Sequence, residues 1–325
     1  MKHLSILIPD GQANLMKIVG TREIFELANE IFEDQGYDPV FTIQFVGCAQ
    51  QHAFVRGFVS LTPELHFKEV DRTDLIIIPA IEEEEVDAFL VRNQSLLAWL
   101  INQYRLGAQI ASLCTGTFLL AATGLLDRKQ CSTHWTAADE FQKRFPKVKL
   151  VTSKIITEEK GLYTSAGSFS SFNLLLYLIE KLYDRPTAVI CAKDLELDID
   201  RRSQSPYVVF AGQKDHEDEG IRQVQDYIEA NTGERLTVES LAAHFAISKR
   251  NLERRFKKAT HNTPVEYIQR VKMEAAKKQL ETSRKTINEV MYEVGYMDVK
   301  AFRTIFRKIT GLSPLEYRAK YNEEY

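Results

Sequence analysis

The stretch Leu252-Glu-Arg-Arg-Phe256-Lys-Lys-Ala-Thr-His-Asn-Thr-Pro264-Val-Glu-Tyr267 returns, altered but in step, as Phe302-Arg-Thr-Ile-Phe306-Arg-Lys-Ile-Thr-Gly-Leu-Ser-Pro314-Leu-Glu-Tyr317. A Phe, two basic residues, a Thr, a Ser or Thr, a Pro, a Glu and a Tyr recur at an offset of 50. Upstream, Thr237-Val-Glu-Ser-Leu241 matches Thr286-Ile-Asn-Glu-Val290 at an offset of 49, so the second copy carries one extra residue in between. Chance does not align this many residue types; one supersecondary unit is used twice.

Each copy reads as helix, turn, helix. Thr237 can cap a helix that turns Val238, Leu241, Ala242 and Phe245 inward. Ala246-Ile247 makes a short turn, and Ser248 caps a second helix that buries Leu252 and Phe256. In the second copy Thr286 caps a helix with Ile287, Val290 and Val294 inside. Gly295 ends it where a positive φ costs little, and the following helix buries Phe302, Phe306 and Ile309. A long helix, Pro264 to Thr282, joins the two copies. Burying those apolar positions turns Lys249, Arg250, Glu253, Arg254 and Lys257 outward in one copy, and Lys300, Arg303, Thr304 and Arg307 in the other. Arginine can bind guanine edges with two hydrogen bonds, and lysine neutralises phosphates, so both faces suit a major groove of double-stranded DNA.

The charge distribution agrees. The whole chain carries a net charge of −3, but residues 219–325 hold 20 Lys and Arg against 15 Asp and Glu, leaving 22 against 30 for residues 1–218. A basic C-terminal part facing an acidic remainder suits a polyanion partner.

The order of these elements resembles the AraC/XylS family of transcriptional regulators over roughly residues 220–320. The second copy carries the densest likeness: Val294-Gly295-Tyr296, Phe302, Phe306-Arg307-Lys308, Gly311, Ser313-Pro314 and Tyr317-Arg318. The resemblance implies that base reading falls early in the second helix of each copy. Those positions are Arg250, Glu253 and Arg254, then Val299, Lys300, Arg303 and Thr304. Val299 has no hydrogen bond to offer a base edge. Two such helices on one chain are expected to reach successive major-groove segments about 34 Å apart.

Residues 1–200 have a different rhythm. His3–Ile8, Val40–Val46, Asp74–Pro79 and Ala108–Leu113 are apolar runs of the length of buried parallel strands, with helical patterns at Gly20–Glu33, Asn93–Arg105 and His134–Arg144. This alternation predicts a parallel sheet with helices on both faces. Periodicity then lapses between Asp200 and Glu219. The expected organisation is an α/β domain over residues 1–200, a linker over 201–219 and an all-α domain over 220–325.

At Ala108–Leu113 the strand runs into Cys114-Thr-Gly116 and then a helical run, the arrangement of a nucleophile elbow, which places a thiol at a helix N-terminus. Cys114-Thr-Gly116, Ala122-Thr-Gly-Leu-Leu126 and Thr133-His-Trp135 together resemble the PfpI-like branch of the glutamine-amidotransferase-like superfamily. The nearest likeness is the amidase-like domain of the GlxA-type regulators within the AraC/XylS family. Enzymes share this scaffold, so a cysteine-dependent hydratase or amidase is the rival reading. Three departures count against catalysis. Lys17 stands where the scaffold's enzymes place an Asp or Glu, and lysine is no carboxylate acid-base at neutral pH without a large pKa shift. Ala80-Ile81, then Glu82 to Glu85, replaces a Gly-Gly whose amides face an oxyanion. Thr115 stands where hydrolases of the superfamily have His. Only His134 remains as a base for Cys114, and a His in this setting is more often packed. The four glutamates read as a solvated helix start.

The expected role of this domain is therefore sensing a small molecule in a pocket drawing on Lys17, Cys114, Thr115 and His134, together with dimerisation. Oxidant sensing through Cys114 is the third option. A cationic Lys17 suits an anionic effector. No cofactor or metal is expected: the cysteines at 48, 114, 131 and 191 form no paired motif. With no apolar run long enough for a membrane span and no signal peptide, the expected setting is the bacterial cytoplasm, nucleoid-associated when bound to DNA. The resemblance implies RNA polymerase as a further partner and activation as the outcome, with repression the alternative.

Overall fold

The structure, a computed structural model, describes residues 1–322. Contacts divide it into two compact units, Met1–Gln204 and a second beginning at Ser205.

The first unit is a seven-stranded sheet with helices on both faces. Its strands are β1 (Lys2–Ile8), β2 (Phe41–Gly47), β3 (Leu65–His66), β4 (Leu75–Ile78), β5 (Gln109–Ser112), β6 (Ile156–Glu159) and β7 (Leu162–Ser165), in the spatial order β6-β7-β5-β4-β1-β2-β3. All neighbours pair in parallel except β6 with β7. The four apolar runs become β1, β2, β4 and β5. Successive side chains point to opposite faces, so Leu75 and Ile77 enter one core while Ile76 and Ile78 enter the other. The first core is covered by α1 (Leu15–Asp34), whose Phe25 is fully buried, and by helices at Ser171–Leu182 and Arg185–Asp194. The second is covered by α2 (Val86–Arg92), α3 (Gln94–Arg105), α4 (Thr117–Ala122) and α5 (Ala138–Arg144). The helices at Ser171–Leu182 and Arg185–Asp194 are α6 and α7.

One boundary and one loop differ from expectation in ways that matter. Helix α1 starts five residues before Gly20, because the Asn14 side chain accepts the Lys17 backbone N–H at 3.0 Å and caps it; Lys17 thus sits in the first turn. The acidic run before α2 is not merely solvated. Glu82 accepts from the Asn14 side chain and Glu83 from the Gln12 backbone N–H, both at 2.6 Å, which ties the loop after β1 to the loop after β4.

Among the described residues, the regular elements of the second unit are helices: α8 (Glu219–Ala230), α9 (Val238–His244), α10 (Lys249–Thr260), α11 (Pro264–Thr282), α12 (Ile287–Glu293), α13 (Val299–Thr310) and α14 (Pro314–Tyr321). It has two cores and one shared helix. Tyr267, Ile268 and Val271 of α11 pack with α8, α9 and α10, while Met273, Ala276 and Leu280 of the same helix pack with α12, α13 and α14. The aperiodic residues before α8 are docked onto this unit. Lys277 donates to the Val208 carbonyl at 2.6 Å, the Phe210 N–H donates to Glu274 at 3.1 Å, and the Phe210 ring packs against the first core. No helix among the described residues is long and apolar enough to cross a membrane.

Candidate nucleic-acid interface and sensor site

The two copies match down to single hydrogen bonds. Thr260 donates to the Phe256 carbonyl at 2.9 Å, and Thr310 does so to Phe306 at 2.9 Å. Tyr267 packs edge-on against Phe256 and donates to Glu229, as Tyr317 packs against Phe306 and donates to Glu281. Thr263 with Glu266 and Ser313 with Glu316 form capping boxes in which each side chain satisfies the other's backbone N–H. The turns are where the copies part. In the first, Ala246 takes a φ of 52°; in the second, Gly295 takes 71°, and Met297 is the extra residue before the Asp298 cap.

This packing fixes which faces of α10 and α13 are free. Leu252 and Phe256, and likewise Phe302 and Phe306, are completely buried. Each such side chain contributes roughly 1.5–3 kcal/mol on leaving water, so the rotation of each helix is not negotiable. Lys249, Arg250, Glu253, Arg254 and Lys257 are all exposed on α10, and Lys300, Arg303, Thr304 and Arg307 are all exposed on α13. Arg254 is held along its helix by Asn251 at 2.9 Å, and Lys249 by Glu239 of α9 at 2.6 Å. Arg255 takes no part, because it pairs with Asp218, the cap of α8; that pairing holds the Asp218 carboxyl below its usual range. Val299 is half-buried against the second core, so it belongs to packing more than to the exposed face. Met297, 84% exposed at the head of α13, escaped the sequence reading because nothing in the first copy corresponds to it.

In the first unit, β5 delivers Cys114 into the turn before α4 with a φ of 56°, the left-handed geometry of a strained elbow, and leaves it 8% exposed. Its carbonyl accepts from Thr133 and Thr117, both at 3.0 Å, and its N–H donates to Ser165 at 3.3 Å. Lys17 lies close enough for its charge to interact with Cys114. The Lys17 ammonium donates to the Ser168 carbonyl at 2.8 Å and sits 4.1 Å from the centre of the Phe172 ring. Burial lowers its pKa to about 8, with the Cys114 sulfur acting in the opposite direction. A lysine lowered this far can exchange a proton closer to neutral pH than a free one. His134 packs so closely on Gly167 that a β-carbon there would overlap its ring. Its Nδ1 accepts from the Thr136 N–H at 3.2 Å, and burial lowers its pKa. The Gly167-Ser168 turn, with Ser168 at a φ of 55°, thus links Lys17 to His134; it was not legible in the sequence.

Thr115 is turned away from this group. Its hydroxyl donates to the Ile81 carbonyl at 2.7 Å and accepts the Ile81 N–H at 3.0 Å. The amide standing where a Gly-Gly would offer an oxyanion donor is therefore already engaged. The elbow has the strain of a reactive site, but one of its donors is closed off.

Residues 6–181 match the DJ-1/PfpI family, and residues 241–320 match a helix-turn-helix domain. Among relatives, the HTH-type transcriptional regulator GbdR of Pseudomonas aeruginosa is 26% identical over 226 residues, covering 68% of this chain and 60% of GbdR. The HTH-type transcriptional regulator ArgR of the same organism is 28% identical over 215 residues, 66% of this chain and 65% of ArgR. The match thus spans less than two thirds of either relative's length. A crystal structure of a candidate transcriptional regulator from Vibrio parahaemolyticus superposes with a TM-score of 0.53 at 25% identity, covering 60% of this chain and 98% of that one.

Proposed function

The chain belongs to the DJ-1/PfpI family, and from that premise we propose that it is a sequence-specific transcriptional regulator whose family domain senses rather than catalyses. The observation that carries this reading is the pair of helices α10 and α13. Each is locked in rotation by a buried core and exposes a polar, mostly basic face, and both are mounted on the single helix α11. Arg250, Glu253 and Arg254 on one, and Lys300, Arg303 and Thr304 on the other, are the proposed base-reading set; Lys249, Lys257 and Arg307 meet phosphates.

In this account Lys17, Cys114 and His134 form the effector pocket of the first unit, with Thr115 at its edge bracing the Ile81 loop. The buried ammonium favours an anionic effector. The first unit also supplies the homodimer contact, so that effector binding sets how two tethered DNA-binding units meet paired sites. The protein works in the bacterial cytoplasm at the nucleoid and activates by contacting RNA polymerase. The names of GbdR and ArgR support regulation as the role. The engaged Ile81 amide weighs against a hydratase or amidase.

The test is binding of the full-length protein to genomic fragments, including the region upstream of its own gene, at near-physiological salt with competitor DNA. Retention of one or a few fragments supports the proposal. Uniform binding that competitor removes, or turnover of isocyanides or amides lost in Cys114→Ala, overturns it.

A further inference from the structure

The edge of the sheet farthest from β3 borders a cavity of about 490 Å³. It lies within the first unit and none of the elbow residues line it. Its walls include Ile156 of β6, Tyr177 of α6 and Ile199; Lys154, Asp200 and Arg202 stand at its rim. The volume is within the usual range for small-molecule sites, which run from roughly 300 to 1,000 Å³, and the lining is mostly polar, with Asn173, Arg185 and Arg201 beside the residues already named.

The charges around it sort into spent and unspent. Glu158 is taken up by Lys181 and by the Tyr177 hydroxyl, and its carboxyl is held below its usual range by them. Glu180 pairs with Arg185 at 2.5 Å. Lys154 and Arg202 have no ion pair among the described residues; Lys154 has only a 3.4 Å hydrogen bond to Gln130. Two cations with no carboxylate partner facing one cavity are an anion-binding arrangement, and a guanidinium holds a carboxylate or phosphate through two parallel bonds. Asp200 adds an acceptor for an ammonium or hydroxyl elsewhere on the same molecule.

The position gives occupancy a consequence. Lys154 and Arg202 flank a short ladder in which the Ile155 N–H donates to the Arg202 carbonyl at 3.2 Å and the Gln204 N–H donates to Ser153 at 3.1 Å; Lys154 and Ser203 form an isolated β-bridge. Ser205, the next residue, begins the second unit. We infer that this cavity is a second effector site, for a small organic anion bearing a carboxylate or phosphate, and that its ligand clamps the segment by which the first unit hands the chain to the DNA-binding unit. The inference does not depend on the elbow being a sensor.

The experiment is calorimetric titration of the full-length protein with succinate, L-glutamate and inorganic phosphate, each against sodium chloride at matched ionic strength. At least one of the three is expected to bind saturably. Binding should weaken roughly tenfold or more in Lys154→Ala and in Arg202→Ala, as expected for a charge-assisted contact, and should vanish in Arg202→Glu. It should persist in Lys17→Met. Both rim residues are exposed, so these variants keep the fold; circular dichroism checks this, and Ile156→Glu, which fills the cavity with a like charge, gives an independent block. The inference is overturned by no saturable binding of any probe, by equal binding in wild type and both rim variants, or by binding lost in Lys17→Met alone.

Discussion

Lys272 donates its buried ammonium to the carbonyl of Val294 at 3.0 Å, and so joins the shared helix α11 to the end of the first helix of the second copy. The same ammonium donates to the Glu234 carbonyl at 2.6 Å, in the loop that leads into the first copy. One lysine thus ties both copies to one another, at the place where a β-carbon on Gly295 would meet the Gly233 carbonyl at 2.6 Å. The proposed two-segment reading needs a fixed spacing of α10 and α13, and this contact braces the shared helix between the two cores.

Lys272→Met keeps the side-chain volume and removes the donor. The buried Val294 carbonyl and the Glu234 carbonyl then lack their partner, and the expected loss of stability is about 1–3 kcal/mol in urea denaturation, since releasing a buried charge offsets part of the cost. Affinity for a two-segment site should fall, while affinity for competitor DNA should hardly change.

The faces of α10 and α13 make separable contributions. Arg254→Ala and Arg303→Ala should each cost roughly 1–3 kcal/mol on the cognate site. Lys257→Ala should weaken cognate and competitor binding alike and reduce the salt slope by about 0.9. Titrations at several salt concentrations distinguish the two behaviours.

The two copies end α10 and α13 differently, and this can be read out. His261 takes a φ of 57° at the C-cap of α10, where Gly311 takes 77° at the C-cap of α13. His261→Gly should stabilise the protein, and Gly311→Ala should destabilise it by about 1 kcal/mol, because only glycine adopts this region without steric cost. Thermal melts of the two variants should move in opposite directions.

Much of this was legible, and the reasons are physical. The repeat at offset 50 exposed the double helix-turn-helix because each apolar position recurs with its cap and its Pro, and the structure builds the same hydrogen bonds at each. Strands β1, β4 and β5 showed as apolar runs because they are buried on both faces, and β2 because Phe41, Ile43 and Val46 are buried. The edge strand β6, Ile156-Thr-Glu-Glu159, is too polar to read as a strand, since only one of its sides is paired. At the elbow, Cys114 and Lys17 were legible as a departure from a known pattern. The Ser168 carbonyl that receives Lys17 lies 151 residues away, and no local pattern announces it. The segment over 201–219 lacks period and so read as a linker, yet Val208 and Phe210 are fastened by Lys277 and Glu274 of α11.

Lys17 should leave a signature in the pH dependence of stability. Its folded pKa of about 8 lies below its ordinary 10.5. Between these values the unfolded chain holds the proton that the folded chain has lost, so the unfolded state binds more protons and stability rises with pH. Measured as wild type minus Lys17→Met, stability of the first unit should therefore increase from about pH 8 toward 10.5 and be flat below. A difference that stays constant across that window would show that the lysine keeps its ordinary pKa.

Whether two helices of one chain read two segments of DNA is decided by footprinting a retained fragment with the wild-type protein, Arg254→Ala and Arg303→Ala. Two protected major-groove segments are expected about 10 base pairs apart, centre to centre, with Arg254→Ala losing protection over one and Arg303→Ala over the other. A footprint that both substitutions leave unchanged, or protection that competitor DNA erases in the wild type, would contradict it.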